Sequence, residues 1–149
     1  MGTRQPGLRK RVEHEATGIS HQHRMLAQLI RELASALDEG VQARSQQVFA
    51  RLRSALRAHF LLEEDVVFPA FRGLHPEHEA AIESLTDGHR KLWTELERLE
   101  FSLDGADLGE AGRLFAALRE ALAAHEAVEE ALLSEARSDP TDRTSDGAG

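Results

Sequence analysis

Apolar residues recur along the chain at alternating three- and four-residue steps, which is typical of helices with one buried face. The first such segment ends before Gly40, and its apolar positions are Ile19, Leu26, Ile30, Leu33 and Leu37. A second segment runs from about Ser45 to Pro69, a third from residues 75 to 99, and a fourth from residues 114 to 132. The pattern therefore predicts four helices.

The connections between these segments are short, so neighbouring helices should be antiparallel. Ala, Leu, Glu and Arg are abundant, whereas Val, Thr and aromatic residues are few, so no strand is expected. We predict an all-α fold, an up-down-up-down four-helix bundle over residues 16–137. Residues 1–15 are predicted to be a flexible N-terminal segment, and residues 138–149, rich in Asp, Thr, Ser and Gly, a disordered tail.

The chain contains an internal repeat. Residues 49–64 (FARLRSALRAHFLLEE) align with residues 115–130 (FAALREALAAHEAVEE) at an offset of 66, and the same offset maps His23 onto His89. The repeated unit is therefore a whole helical hairpin. Each hairpin contains one His in its first helix and a His-x-x-x-Glu motif in its second.

The repeated polar residues lie on the apolar faces of their helices. Residues four apart share a helix face, so His59 with Glu63, and His125 with Glu129, can each reach one site. A lone inward His is more often a hydrogen-bonded core residue than a ligand, but here each of the four helices has one. Two inward carboxylates would cost several kcal/mol without a positive partner. The predicted metal ligands are His23, His59, Glu63, His89, His125 and Glu129.

Nitrogen and carboxylate donors without sulfur suit Fe, Mn or Zn, and carboxylates on facing helices can bridge two metal ions. The simplest assignment gives each metal two histidines, with Glu63 and Glu129 shared. His21 is an alternative to His23 as the first-helix ligand, although the repeat favours His23. Glu64 and Glu130 could hydrogen-bond to ligand histidines. Three further histidines are interpreted as surface residues: His14, His75 and His78.

Composition narrows the classes of function. The 149 residues include no cysteine, which excludes disulfides and thiolate chemistry. A net charge of -8 disfavours nucleic acid and anionic membranes as partners. No segment has the length of apolar sequence that a membrane span or signal peptide needs, so we expect a cytoplasmic protein. The periodicity does not indicate an oligomeric state.

Taken together, the motifs resemble the hemerythrin and HHE cation-binding family over about Ile19 to Glu135. The matching elements are His23, His59-Phe60-x-x-Glu63-Glu64, Val67-Phe68-Pro69, His89 and His125-x-x-x-Glu129-Glu130. The resemblance implies a four-helix bundle with two iron ions in a non-haem centre, bridged by an oxo or hydroxo group and two carboxylates. Members of this family bind O2 reversibly, sense O2 or iron, or react with peroxide and nitric oxide.

The sequence departs from the oxygen-carrier pattern in two places. Carriers have a further His where this chain has Leu85, and a longer spacing to an Asp where it has His125 and Glu129. Fewer ligands leave an open coordination position, which favours turnover. The pattern resembles a bacterial subgroup with catalase-like activity. We therefore expect a di-iron oxidoreductase acting on hydrogen peroxide, O2 or nitric oxide; the alternatives are an O2- or iron-binding or sensing module and a bundle with a structural polar network.

Overall fold

The computed structural model describes the backbone of residues 5–137 and the side chains of residues 18–135 except Ser20. No strand occurs within that range. The helical elements are α1 (Gln5–Glu39), α2 (Gln42–Leu62), a π-helical turn (Glu63–Val67), α3 (Phe68–Leu74), a 3-10 turn (Pro76–His78), α4 (Glu79–Asp104) and α5 (Leu108–Arg137). The predicted disordered tail, residues 138–149, lies outside the described residues.

The long helices form a closed ring of neighbours. Helix α1 packs against α2 and α5, and α4 packs against the same two helices. Gly40 ends the first helix with a φ of 71°, a left-handed conformation that glycine adopts without strain. The prediction of an all-α, up-down-up-down bundle is confirmed. None of the helices between residues 5 and 137 is both long and apolar enough to cross a bilayer.

Helix α1 begins earlier than the apolar pattern indicates. Its backbone is helical from Gln5, so the helix includes residues 5–15 of the predicted N-terminal segment, whose flexibility stays a prediction. Residues 1–4 lie outside the described residues. Pro6 lies in the first turn, where its missing N–H would have no helical partner in any case. The difference arises because residues 5–15 are mostly polar and lack the apolar period from which the other helices were recognised.

The second predicted helix continues beyond Pro69 through a widened turn. The backbone N–H of Phe68 donates to the carbonyl of Glu63, five residues earlier, so residues 63–67 are π-helical. In a regular α-helix the ring of Pro69 would clash with the carbonyl of Asp65. Widening the helix relieves this conflict, and the widened turn begins at a predicted metal ligand.

The apolar core consists of two clusters separated by a polar layer. The larger one includes Leu33, Leu52, Leu96 and Leu118. The smaller one, beside the π-helical turn, comprises Ile19, Val67, Phe68, Phe71, Ile82, Leu85, Leu132 and Leu133. The six predicted ligands lie between the two sets along every long helix. The fold therefore places these polar groups in the bundle interior, with apolar packing above and below them.

Candidate metal centre

The six predicted ligands converge in the interior of the bundle. They come from α1 (His23), α2 (His59), the π-helical turn (Glu63), α4 (His89) and α5 (His125 and Glu129). Glu63 and Glu129 are fully buried, and none of the four histidine side chains is more than 9% exposed. We call these six residues the His–Glu cluster.

The histidines form two pairs, one within each hairpin. The Nε2 atoms of His23 and His59 are 3.1 Å apart, with ring centroids separated by 4.8 Å. The rings of His89 and His125 have the same centroid separation, 4.8 Å. Each pair thus presents two imidazoles to one small volume, which is the arrangement that a shared ion requires.

Each glutamate lies between one histidine of each pair. Glu63 Oε1 is 2.9 Å from His59 Nε2 and 3.4 Å from His89 Nε2. Glu129 Oε1 is 3.6 Å from His23 Nε2, and its Oε2 is 3.7 Å from His125 Nε2. Both carboxylates therefore span the two histidine pairs, so each could bridge two ions.

Burial shifts the ionisation of the cluster away from its ordinary state. It lowers the pKa of His59 and of His125 to about 4, so both imidazoles are neutral at pH 7 and keep a lone pair. Burial raises the pKa of Glu63 and of Glu129 to about 7. For His23, burial lowers the pKa, but the Glu129 carboxylate 3.6 Å away and other nearby carboxylates outweigh it and raise the pKa to about 9.

Most polar atoms of the cluster have no hydrogen-bond partner in the protein. Among the described residues, nine buried side-chain N or O atoms have no hydrogen-bond partner, and eight of them belong to the cluster. They include both oxygens of Glu63 and of Glu129 and Nε2 of His89 and His125. Buried polar atoms without partners are costly. Metal ions would satisfy these lone pairs, so the donor set fits a metal centre.

Three polar side chains outside the cluster lie on the Nδ1 side of its rings, and one of them makes a hydrogen bond. Gln22 Oε1 accepts from His59 Nδ1 at 2.7 Å, which leaves Nε2 for the centre of the bundle. The two glutamates that the sequence suggested for this role lie close to Nδ1 atoms without hydrogen-bonding to them: Glu130 is 3.4 Å from His23 Nδ1, and Glu64 is 3.5 Å from His89 Nδ1. Gln22 was not foreseen, although it directly precedes His23.

Aromatic and glycine neighbours complete the walls of the cluster. The ring of Phe60 stacks on His89 with centroids 4.0 Å apart, and Phe68 stacks on it at 5.8 Å. At Gly88 an added Cβ would lie only 2.8 Å from Nδ1 of His125. A glycine inside a helix costs about 1 kcal/mol relative to alanine, so Gly88 within a helical segment is itself a sequence signal of close packing.

Three other histidines whose side chains the structure describes lie apart from the cluster. His21 is exposed on α1, so the structure favours His23 as the first-helix member. His75 and His78 form a separate group with Glu77 at the 3-10 turn. Each of these histidines contacts the Glu77 carboxylate, which is 62% exposed, as a surface ion pair. The side chain of His14 lies outside the described residues.

Comparison with known proteins gives one result. A model of the hemerythrin HHE cation-binding domain matches residues 14–136, a range that contains the whole His–Glu cluster. No curated protein and no solved structure matched the chain. Proteins with this domain bind metal ions, typically iron. The family match covers most of the sequence and agrees with the helical bundle, so the chain belongs to the hemerythrin HHE cation-binding domain family.

Proposed function

We propose that the His–Glu cluster binds two iron ions. In this assignment His23 and His59 bind one ion, His89 and His125 bind the other, and Glu63 and Glu129 are shared between them. The observation that supports this assignment is that each carboxylate lies between one histidine of each pair. Zn and Mn use the same donor types, so the choice of iron follows the family rather than the geometry.

The ionisation of the cluster suits metal binding, because its histidines include neutral donors and its carboxyl groups can exchange a proton for a metal ion. His59 and His125 are neutral at pH 7 because burial lowers the pKa of each to about 4. Burial holds the pKa of Glu63 and Glu129 at about 7, so these carboxyls still carry part of their protons. Metal ions would displace those protons, and binding should strengthen as pH rises through 7.

We further propose that the iron-loaded protein reacts with peroxide, O2 or nitric oxide, and that it decomposes hydrogen peroxide in a catalase-like reaction. Two irons, when bound, would supply a two-electron couple for this reaction, in which one hydrogen peroxide is reduced to two waters and a second gives up two electrons and two protons to become O2. Leu85 supports turnover, since it stands where the carriers have an additional histidine and is a buried side chain without a donor atom. The six residues of the cluster are one side chain fewer than the ligand set of the carriers, which would leave a coordination position for substrate.

Reversible binding of O2 or nitric oxide without turnover is the second candidate. The observation that favours it is burial, because every cluster side chain is at least nine-tenths covered by protein. The stacked rings of Phe60 and Phe68 restrict access to His89 further. Such a site admits diatomic ligands more easily than larger ones.

The test begins with elemental analysis of protein produced with iron and purified without chelators. Wild type should contain close to two irons per chain, and His59→Ala should lose most of them. His21→Ala is the matched control, because His21 is exposed and lies apart from the cluster. Equal metal content in the two variants would refute the assignment. Oxygen release on addition of peroxide to the loaded protein then separates turnover from reversible binding.

A further inference from the structure

A cavity of about 530 Å³ lies between α2 and α4, beside the His–Glu cluster. Its apolar wall is formed by Phe60, Leu61 and Trp93, and three arginines, Arg53, Arg57 and Arg90, complete the rim. We call it the arginine pocket. Its size is within the range of roughly 300–1,000 Å³ that small-molecule sites occupy.

The charge of the arginine pocket opposes that of the chain. The whole sequence carries a net charge of -8, yet the residues that line this pocket include three arginines and one carboxylate, that of Glu64. The acidic partners of Arg53 and Arg90 lie outside the lining. Other cavities in the described part of the chain have the reverse balance. In one of them Arg98 is accompanied by Glu97, Asp107 and Glu110, and in another Arg119 is accompanied by Asp38 and Glu120. A lining with more arginines than carboxylates favours an anionic ligand.

The guanidinium groups of the pocket are available to a ligand. Arg57 makes no ion pair with any residue that the structure describes. Arg53 is 3.4 Å from Glu100, and Arg90 is 3.6 Å from Asp87. Surface ion pairs of this kind are weak, so a ligand carboxylate can replace them. Arginine binds carboxylates through two parallel hydrogen bonds, which lysine does not do.

The apolar wall adds a preference for a ring. The guanidinium of Arg53 lies over the indole of Trp93, 5.4 Å from the ring centroid. Leu61 is 47% exposed, so part of the apolar surface of this pocket is open to solvent. An aromatic ring would cover this apolar area, and guanidinium and indole faces both stack on aromatic ligands.

We propose that the arginine pocket binds a small aromatic carboxylate. The carboxylate pairs with Arg57 and Arg90 at the rim, and the ring packs against Trp93 and Leu61. The inner end of the pocket is formed by Glu64 and His89. A bound ligand would therefore cover the outer side of His89, but its recognition uses no atom of a metal ion.

Intrinsic fluorescence offers a direct measurement. Trp93 is the only tryptophan and the chain has no tyrosine, so indole emission reports on this pocket alone. The probe is 4-nitrobenzoate, a quencher with one ring and one carboxylate, and 4-nitrobenzamide is its uncharged counterpart. We expect saturable quenching by the carboxylate and at least about tenfold weaker binding of the amide, equivalent to about 1.4 kcal/mol.

Variants locate the binding. The combined Arg57→Gln and Arg90→Gln variant removes one rim charge from α2 and one from α4, and should weaken 4-nitrobenzoate binding by about tenfold or more. The control is Arg51→Gln with Arg98→Gln, which makes the same charge change on the same two helices outside the pocket. The control should bind as wild type does.

Three results would overturn the proposal: quenching that rises linearly without saturation, equal binding of the amide, or undiminished binding by the rim variant. Undiminished binding by the rim variant is also expected if the carboxylate coordinates a metal ion and not the arginines.

Iron content is measured on the same samples, so that the pocket and the metal centre are tested separately. Two irons without ligand binding would refute the pocket alone, and ligand binding without iron would refute only the metal proposal.

Discussion

Replacement of Gly88 by alanine should have opposite effects on the stability of helix α4 and on metal binding by the His–Glu cluster. Gly88 is inside α4, which spans Glu79–Asp104. In a helix interior alanine is more favourable than glycine by about 0.8–1.0 kcal/mol. In the absence of a steric conflict, Gly88→Ala would therefore stabilise the metal-free protein by about that amount.

The conflict is with the ring of His125. An added Cβ at Gly88 would lie 2.8 Å from Nδ1 and 3.1 Å from Cε1 of that ring, whereas ordinary contact begins at 3.4 Å. The ring must retreat by about 0.6 Å, which exceeds the roughly 0.2 Å tolerance of metal–ligand bonds. We expect metal affinity at the His89–His125 pair to fall by at least about tenfold, as when a supporting contact of a ligand is lost.

Gly112→Ala is the matched control, because Gly112 is also inside a helix and an added Cβ there meets nothing within 4 Å. Thermal unfolding of chelator-treated protein measures helix stability, and iron per chain with a competing chelator measures affinity. Gly112→Ala should raise stability with two irons retained, whereas Gly88→Ala should lose iron more readily. Equal iron affinity in the two variants would contradict the close-packing argument.

Three further predictions concern the cluster. Glu129→Gln should bind fewer than two irons, because a bridging charge is lost, whereas Glu130→Gln, on an exposed side chain, should keep both; elemental analysis decides. Leu85→His should lower peroxide-driven O2 release per iron by about tenfold, since an added ligand would fill the open position, while Leu85→Met should not. In the folded protein the pKa of His23 is raised from its ordinary value of 6.5 to about 9. Protonated His23 therefore contributes its full stabilising free energy below pH 6.5, and this contribution is lost as the pH rises to 9. The melting temperature of metal-free protein should thus fall between pH 6.5 and 9, and His23→Gln should reduce the fall. The same dependence of melting temperature on pH in wild type and variant would contradict this role of His23.

Much of the site was accessible from the sequence because its residues repeat at fixed spacings. The offset of 66 between His59 and His125 indicated two similar hairpins, and a four-residue step places each His with its Glu on one helix face. The same repeat favoured His23 over His21, and in the structure only His23 lies in the cluster. Periodicity was sufficient here because every member lies on a regular helical face.

Features that depend on neighbouring helices were not predicted. The π-helical turn follows from Pro69, but its effect on the direction of Glu63 needs the packed bundle. Gly88 is recognisable as unusual within a helix, yet only the structure identifies His125 as its neighbour. The arginine pocket combines residues of α2 with residues of α4, and a one-dimensional pattern does not specify which exposed faces meet.

The polar layer between the two apolar clusters also determines how the helices align along the bundle axis. Sliding one helix by a turn of about 5.4 Å would move its histidine or glutamate into an apolar cluster and bring a leucine opposite the remaining charges. A core made only of leucines would tolerate such a slip far better. The layer that supplies the ligands thus specifies a single vertical register for all four long helices, and it does so before any ion is bound.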